Sequence, residues 1–210
     1  MPSTGRADTV VVLDFETSGL SPARGDRAIE IGAVRIVGGQ VRDRFQQLIN
    51  PGFRISGFIE SYTGISNAML RAAPPADEVM AAFADFIAGH HLVAHNAAFD
   101  RRFLDAELAP LGLDYRGEFA CSMLAARRLF PAAPNHRLGS LVAYRGLAHD
   151  GVFHRALADA EMTARLWLDL LAEIERRHGL APVPFRLMQQ LGRTPRHAVD
   201  RLFGGCARPA

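Results

Sequence analysis

Asp14 and Glu16 are two carboxylates that stand two positions apart at the end of an apolar run, Thr9–Phe15. The dense Val and Leu content of this run predicts a buried β-strand. Residues two apart on a strand project from the same face, so both carboxylates would meet at one end of a sheet, where ligands commonly bind. Taken alone, the pair fits solvated surface carboxylates equally well.

Asp100, His154 and Asp159 are further candidates for the same site. Asp100 lies early in a predicted helix, Ala97–Leu108, where an acidic residue can also simply complement the helix dipole. His154 and Asp159 precede and open the longest predicted helix, Leu157–Arg177. Residues five apart on one helix diverge by about 140°, so the two side chains converge only if His154 lies in the preceding loop.

Four carboxylates brought to one place would favour a particular class of metal ion. Mg²⁺ prefers octahedral oxygen coordination and retains several water molecules. A structural zinc site instead requires cysteine and histidine ligands. The two cysteines, Cys121 and Cys206, lie far apart and form no CxxC pair. The residue types therefore favour a magnesium site over a zinc site.

Several motifs occur in a fixed order along the chain. LDFETSGL (Leu13–Leu20) is followed by AIEIGAVRI (Ala28–Ile36), Gly64-Ile65, HNAAFD (His95–Asp100) and a His-x4-Asp element. This combination resembles the DEDDh 3′→5′ exonucleases, and the resemblance extends over roughly Thr9–Glu175. That family has an RNase H-like fold and includes polymerase proofreading subunits, ribonuclease T-type enzymes and oligoribonucleases. The combination is specific, although no single motif is.

The resemblance implies a role for each charged residue. Asp14 would bridge two Mg²⁺ ions, with Mn²⁺ as a substitute, and Glu16 and Asp159 would complete the site of the attacking water. Asp100 would serve the second ion. His154 would accept the proton from the water, since its reference pKa of about 6.5 suits a base near neutral pH. Two ions can stabilise the attacking and leaving oxygens of a phosphodiester together, and the implied products are nucleoside 5′-monophosphates.

The resemblance also implies contacts with the terminal nucleotide from five residues: Thr17, Gly19, Leu20, Asn96 and Phe99. Phe99 fits equally well as a core residue because it has helical apolar spacing. The family often has His-Gly-Ile where this chain has Thr63-Gly64-Ile65. This departure leaves the carboxylates intact but puts one nucleotide contact in doubt.

The order of elements predicts an α/β fold with a mixed five-stranded sheet flanked by helices, because a hairpin is followed by alternating strands and helices. The predicted strands are Thr9–Phe15, Ile29–Val37, Val41–Ile49, His91–Ala94 and Glu118–Ser122. The other predicted helices are Ser66–Arg71, Ala76–Ala88, Arg137–Tyr144 and one ending at Phe130. We predict an exonuclease domain over residues 1–180 and a basic, proline-interrupted appendage over 181–210.

The composition permits a nucleic-acid substrate without requiring one. All of the basic side chains other than histidine are arginine, which suits phosphate contacts, but the formal net charge is only +2. No apolar run approaches the roughly 20 residues that a membrane span needs. The N-terminal sequence has no signal-peptide pattern. We therefore expect a cytoplasmic protein that does not insert into a membrane.

Three functions remain open from the sequence. The first is an exonuclease acting on the free 3′ ends of single-stranded or frayed DNA in proofreading or repair, and the second is the same fold acting on RNA. The third is a catalytically silent module that binds nucleic acid or a polymerase. The appendage could dock a DNA polymerase subunit through Phe185, Leu187, Met188 and Leu191, or fold back onto its own domain.

Overall fold

A mixed five-stranded sheet forms the centre of the molecule. The computed structural model describes residues 5–148 and 155–204. The sheet order is β3-β2-β1-β4-β5, with β1 antiparallel to β2, β2 antiparallel to β3, and β4 and β5 parallel to β1 and each other. The predicted α/β class and five-stranded sheet are therefore confirmed. The strands are β1 (Val10–Thr17), β2 (Ala28–Val37), β3 (Gln40–Leu48), β4 (Leu92–Ala94) and β5 (Phe119–Cys121).

Helices cover both faces of this sheet. In the part of the chain that is described they are α1 (Gly57–Thr63), α2 (Asn67–Ala72), α3 (Ala76–Ile87), α4 (Ala97–Leu108), α5 (Ser122–Leu129), α6 (Leu138–Arg145), α7 (Ala156–His178), α8 (Phe185–Arg193) and α9 (Val199–Gly204). Short 3₁₀ turns occupy Pro22–Arg24, Ala109–Leu111 and Arg196–Ala198. Among these described helices, none is both long enough and apolar enough to cross a membrane.

The alternation of side chains along β1 divides the core into two layers. Val10 and Val12 pack with the apolar residues of α5, α7 and α8. Val11, Leu13 and Phe15 pack on the other face, with α3 and α4. Because the side-chain period of a strand is two, Asp14 and Glu16 continue the row of Val10 and Val12 towards α7.

The first residues of α7 are fixed by β2. Glu30 is 0% exposed, and its carboxylate accepts hydrogen bonds from the Arg155 guanidinium at 2.9 and 3.1 Å. It also accepts one from the backbone N–H of Ala156 at 3.1 Å. Gly32 lets the helix backbone approach, since a Cβ there would lie 2.1 Å from the Leu157 nitrogen. These contacts therefore fix the position of the first turn of α7 relative to the sheet.

A second buried carboxylate fixes α4 against the same strand. Glu107 accepts hydrogen bonds from the Arg27 guanidinium at 2.7 and 2.9 Å and from the Ala28 backbone N–H at 2.9 Å. Its side chain is 2% exposed, so the ion pair is shielded from solvent on the glutamate side. The two helices that carry Asp100 and Asp159 are thus both anchored to β2.

Helix α1 was not predicted from the sequence. Ser56 caps the helix by accepting from the Ile59 N–H, and Gly64 ends it with a φ of 71°. A separate apolar cluster of Ile29, Ile55, Ile65 and Leu70 holds α1 and α2 against β2 and β3. Helix α1 has only seven residues, so its signal in the sequence was limited to the two capping residues and the i, i+4 pair of Phe58 and Tyr62.

The described part of the predicted appendage packs onto the domain. Phe185, Leu187, Met188 and Leu191 of α8 are buried in the same cluster as α5 and α7. The chain is tied down further where the Ala7 N–H donates to the Val183 carbonyl at 2.9 Å. These apolar side chains are therefore shielded by their own domain.

Substitution Gly32→Ala should destabilise the protein by roughly 1–3 kcal/mol, because the new methyl group would overlap the α7 backbone at Ala156 and Leu157. Urea unfolding measures this loss. Gly57→Ala is the matched control, since a Cβ at Gly57 would meet nothing within 4 Å. Equal stability of the two variants would contradict the close approach of α7 to β2.

Candidate active site

Three carboxylates meet where β1 ends beside the first turn of α7. Oxygen atoms of Asp14, Glu16 and Asp159 all lie within 4.8 Å of one another. Asp14 and Glu16 come from one face of β1, and Asp159 comes from the first turn of α7. The structure thus brings together three of the four carboxylates singled out in the sequence.

Asp100 reaches the same end of β1 from α4. It is buried in the first turn of that helix, and its Oδ1 accepts a hydrogen bond from the Phe15 backbone N–H at 3.3 Å. Phe15 lies between Asp14 and Glu16 in the chain, so this hydrogen bond holds Asp100 next to the two carboxylates of β1. Its charge also acts on Asp14 and helps to raise the pKa of that residue.

Burial and mutual repulsion make this cluster electrostatically unfavourable as a set of free anions. Burial, followed by the charge of Asp159, raises the pKa of Glu16 to about 8. Burial raises the pKa of Asp100 to about 7, although backbone N–H groups oppose the shift. Burial, then Asp100 and Asp159, raises the pKa of Asp14 well above its usual range. Each shift has the sign that buried, crowded carboxylates produce.

A hard divalent cation fits this donor set. Among the described residues, the cluster offers only carboxylate oxygens, the ligands that Mg²⁺ and Mn²⁺ prefer, and no thiolate or imidazole that a structural zinc ion would need. A bound cation would also relieve the repulsion that raises the pKa values of the carboxylates. Asp14, Glu16 and Asp159 would hold such a cation, with Asp100 beside them.

His154, the predicted general base, lies outside the described residues. The structure does show that α7 begins at Ala156 and that Asp159 lies in its first turn. In the sequence, His154 therefore precedes the helix by two positions. His154 and Asp159 can converge on one site only if His154 precedes the helix and Asp159 lies on it. The role of His154 stays a prediction.

His95 has a structural role at the end of β4. Its Nε2 lies 2.9 Å from the His136 carbonyl oxygen, and its Nδ1 lies 2.8 Å from the Ser122 hydroxyl. Burial lowers the pKa of His95 to about 4, so the ring is neutral near pH 7. With both nitrogens engaged, His95 connects β4 to α5 and to the segment before α6.

A cavity of about 800 Å³ opens onto the carboxylates. Four of the five predicted nucleotide contacts line it: Thr17, Gly19, Leu20 and Phe99. Phe99 also packs against the apolar layer of α3 and α4. It therefore has both a face on the cavity, as a nucleotide contact would need, and a face in the core. Asn96 instead lines a neighbouring recess of about 620 Å³, which shares His95 and Leu138 with the cavity.

Helix α1 supplies a wall of the cavity that the sequence analysis did not foresee. Phe58, Ile59, Tyr62 and Thr63 all line it. The Thr63 hydroxyl donates to the Ile59 carbonyl at 2.8 Å and accepts from the Ile65 N–H, so it is used within the helix end. The i, i+4 spacing of Phe58 and Tyr62, between a capping serine and a glycine, was the available signal.

Comparison with known proteins gives the family. The sequence profile described as Exonuclease (RNase_T) matches residues 11–167, which is more than half of the chain. The chain belongs to this exonuclease family. It is 32% identical over 173 residues to the DNA polymerase III subunit epsilon of Aquifex aeolicus, covering 82% of this chain and 85% of that protein.

Other relatives are longer. The chain is 36% identical over 193 residues to the 3′-5′ exonuclease DinG of Bacillus subtilis, covering 91% of this chain but only 20% of that protein. The chain therefore spans about a fifth of this relative's length.

Solved structures share the fold. The structure described as Exonuclease X in complex with 5′ overhanging duplex DNA matches with a TM-score of 0.68 and 28% identity, covering 87% of this chain and 99% of that one. A nuclease domain described as a DEDDh family member matches with a TM-score of 0.68, covering 82% of this chain and 95% of that one; at 22% identity it shows the fold alone. The family and the RNase H-like exonuclease fold that the sequence motifs indicated are thus confirmed.

Mn²⁺ or Mg²⁺ should raise the melting temperature, because a cation that binds only the folded state stabilises it by mass action. At 100 times the Kd the gain is about 2.7 kcal/mol, or roughly 5–10 °C for a chain of this size. Asp14→Asn should melt at a higher temperature than the wild type in EDTA and lose most of the cation shift. Differential scanning fluorimetry measures both effects.

The matched control is Asp114→Asn, which changes a carboxylate that is 71% exposed and outside the cluster. It should keep the full cation shift. An equal cation shift in Asp14→Asn and in the wild type would contradict the proposed ligand set.

Proposed function

We propose that this chain is a metal-dependent 3′→5′ exonuclease that shortens DNA and releases nucleoside 5′-monophosphates. The observation that carries the proposal is the cluster of Asp14, Glu16 and Asp159, in which Glu16 is buried and the other two are partly buried. The cluster lines a cavity of about 800 Å³ in a chain of the exonuclease family. A cluster of crowded carboxylates at the base of a cavity is costly to maintain and is typical of a functional site.

Each side chain has its own proposed role in hydrolysis. Asp14, Glu16, Asp159 and Asp100 would hold two Mg²⁺ ions, which when bound supply a positive charge that stabilises the attacking and leaving oxygens. His154 accepts the proton of the attacking water, and Thr17, Gly19, Leu20 and Phe99 orient the terminal nucleotide in the cavity. Asn96 contacts the strand from the neighbouring recess. Orientation of this kind lowers the entropic part of the barrier.

DNA is the proposed substrate. Support comes from the printed names of the relatives, which include a DNA polymerase III subunit, and from the structure of Exonuclease X with duplex DNA. RNA is the alternative. A protein that separates RNA from DNA at one site must use the 2′-OH group, so the choice depends on contacts with the sugar of the terminal nucleotide.

Proofreading with a DNA polymerase, or trimming of 3′ ends in repair, is the proposed cellular role, and the cytoplasm is the proposed location. The epsilon relative supports an association with a polymerase. Docking through the apolar residues of α8 would require that helix to leave its own domain, because Phe185, Leu187, Met188 and Leu191 are buried there. The burial of these four residues supports the alternative in which the appendage folds back onto its own domain, and a polymerase contact through the C-terminal tail stays a prediction.

A time course on single-stranded DNA labelled at the 5′ end tests the activity. With Mg²⁺ the wild type should give a ladder that shortens from the 3′ end, and EDTA should stop it. Asp14→Ala should lower the rate by about 10²- to 10³-fold, since the variant loses one of the three clustered carboxylates and with it charge stabilisation of the transition state. Asp114→Ala should cleave like the wild type. Full activity of Asp14→Ala would contradict the assignment.

The same assay with an RNA strand of matched sequence separates the two substrates. The proposal expects faster shortening of DNA than of RNA. A faster rate on RNA would transfer the assignment to an exoribonuclease. Binding of both strands without turnover in Mg²⁺ or Mn²⁺ would support a catalytically silent module.

A further inference from the structure

Phe58 and Tyr62 form an exposed aromatic pair on α1. Phe58 is 73% exposed and Tyr62 is 52% exposed. Their rings stack with centroids 5.9 Å apart and an angle of 14° between the planes. Burial of an aromatic ring lowers the free energy of the system. Two large rings that stack on each other in solvent therefore indicate a ligand-binding surface.

The pair belongs to the same cavity as the carboxylates. Phe58 and Tyr62 line the cavity that Asp14, Glu16 and Asp159 also line. Leu20, from the loop after β1, lines it too and is itself exposed. Any molecule that fills this cavity while reaching the carboxylates therefore lies against the aromatic rings.

A hydrogen-bonded network holds α1 in place. The Glu60 carboxylate accepts from the Asn67 N–H at 2.6 Å. The Asn67 side chain exchanges two hydrogen bonds with the backbone of Ile55, at 2.9 and 3.1 Å. Ile55, Ile59 and Ile65 belong to the apolar cluster beneath the helix. The rings are thus presented on a fixed element, which reduces the entropy lost on binding.

We propose that Phe58, supported by Tyr62, is a stacking platform for an unpaired nucleobase of the strand whose 3′ end lies at the carboxylates. Every nucleobase has a π-face, so stacking on aromatic side chains is tolerant of sequence. A base within a duplex is already stacked and paired, and it must leave the duplex to contact Phe58. The platform therefore acts on a base outside a duplex; this inference rests on the proposed exonuclease function.

Two readouts test the platform separately from the chemistry. The first is the Kd of a fluorescein-labelled single-stranded DNA, measured by anisotropy in EDTA. The second is KM and kcat for shortening of the same strand in Mg²⁺. Phe58→Ala should raise the Kd and the KM about 5- to 150-fold, the range that loss of one base-aromatic stack gives. Its kcat at saturation should stay within about twofold of the wild type.

Three matched comparisons sharpen this result. Phe58→Trp should restore the wild-type Kd, because it keeps a stacking surface. Phe53→Ala should behave like the wild type, since Phe53 is 46% exposed but does not line the cavity. The third comparison uses a strand with abasic sites in place of the bases next to the 3′ terminus. The wild type should bind this strand as weakly as Phe58→Ala binds the intact strand. The wild type and Phe58→Ala should bind the abasic strand with equal Kd.

The outcomes distinguish the two levels of the account. Unchanged Kd and KM in Phe58→Ala would overturn the platform and leave the exonuclease function standing. Weaker binding by Phe58→Ala, together with a wild type that shortens no strand in Mg²⁺, would support the platform and overturn the exonuclease function. If Phe58→Ala lost affinity equally for intact and abasic strands, its effect would be structural and the platform would be wrong.

Discussion

The ion pair between Glu30 and Arg155 is the contact on which the rest of the site depends. A buried carboxylate is costly unless it is paired and fully hydrogen-bonded, and Glu30 meets this condition by accepting from Arg155 and from the Ala156 N–H. These bonds fix the first turn of α7, and therefore Asp159, against the end of β1. Gly32 completes the arrangement because it leaves room for the helix backbone. A strand that carries no proposed ligand thus sets the geometry of the carboxylate cluster.

The cluster itself opposes the stability of the fold. Burial makes the charge of these carboxylates costly, as the raised pKa values of Glu16 and Asp100 show, and repulsion from Asp159 raises the pKa of Glu16 further. The ion pairs of β2 with α7 and α4 hold the helices in place despite this repulsion. A divalent cation would remove much of it. A positive charge at the end of β1 would therefore both stabilise the folded protein and serve the proposed chemistry.

Much of this arrangement could be predicted from the sequence because it depends on local periodicity. The period of two along β1 predicted that Asp14 and Glu16 share a face, and the spacing of His154 and Asp159 predicted a helix start between them. The partner of Glu30 could not be predicted, since Arg155 lies 125 residues away. Helix α1 was missed because its seven residues allow only one short apolar repeat between the two caps, and with the helix the exposed ring of Phe58 was missed. Asn96, predicted as a nucleotide contact together with Phe99, lines the neighbouring recess, and its backbone is left-handed with φ of 74° before α4.

Calorimetric titration of Mn²⁺ into the wild type and into Glu30→Gln tests most directly whether β2 organises a cation site. Glu30 is outside the ligand cluster, yet its loss should weaken Mn²⁺ binding roughly 10- to 100-fold, as removal of an outer-shell partner typically does. Asp159→Asn gives the reference for loss of a ligand, and Glu78→Gln, an exposed change on α3, should bind like the wild type. Wild-type affinity in a folded Glu30→Gln variant would contradict the account.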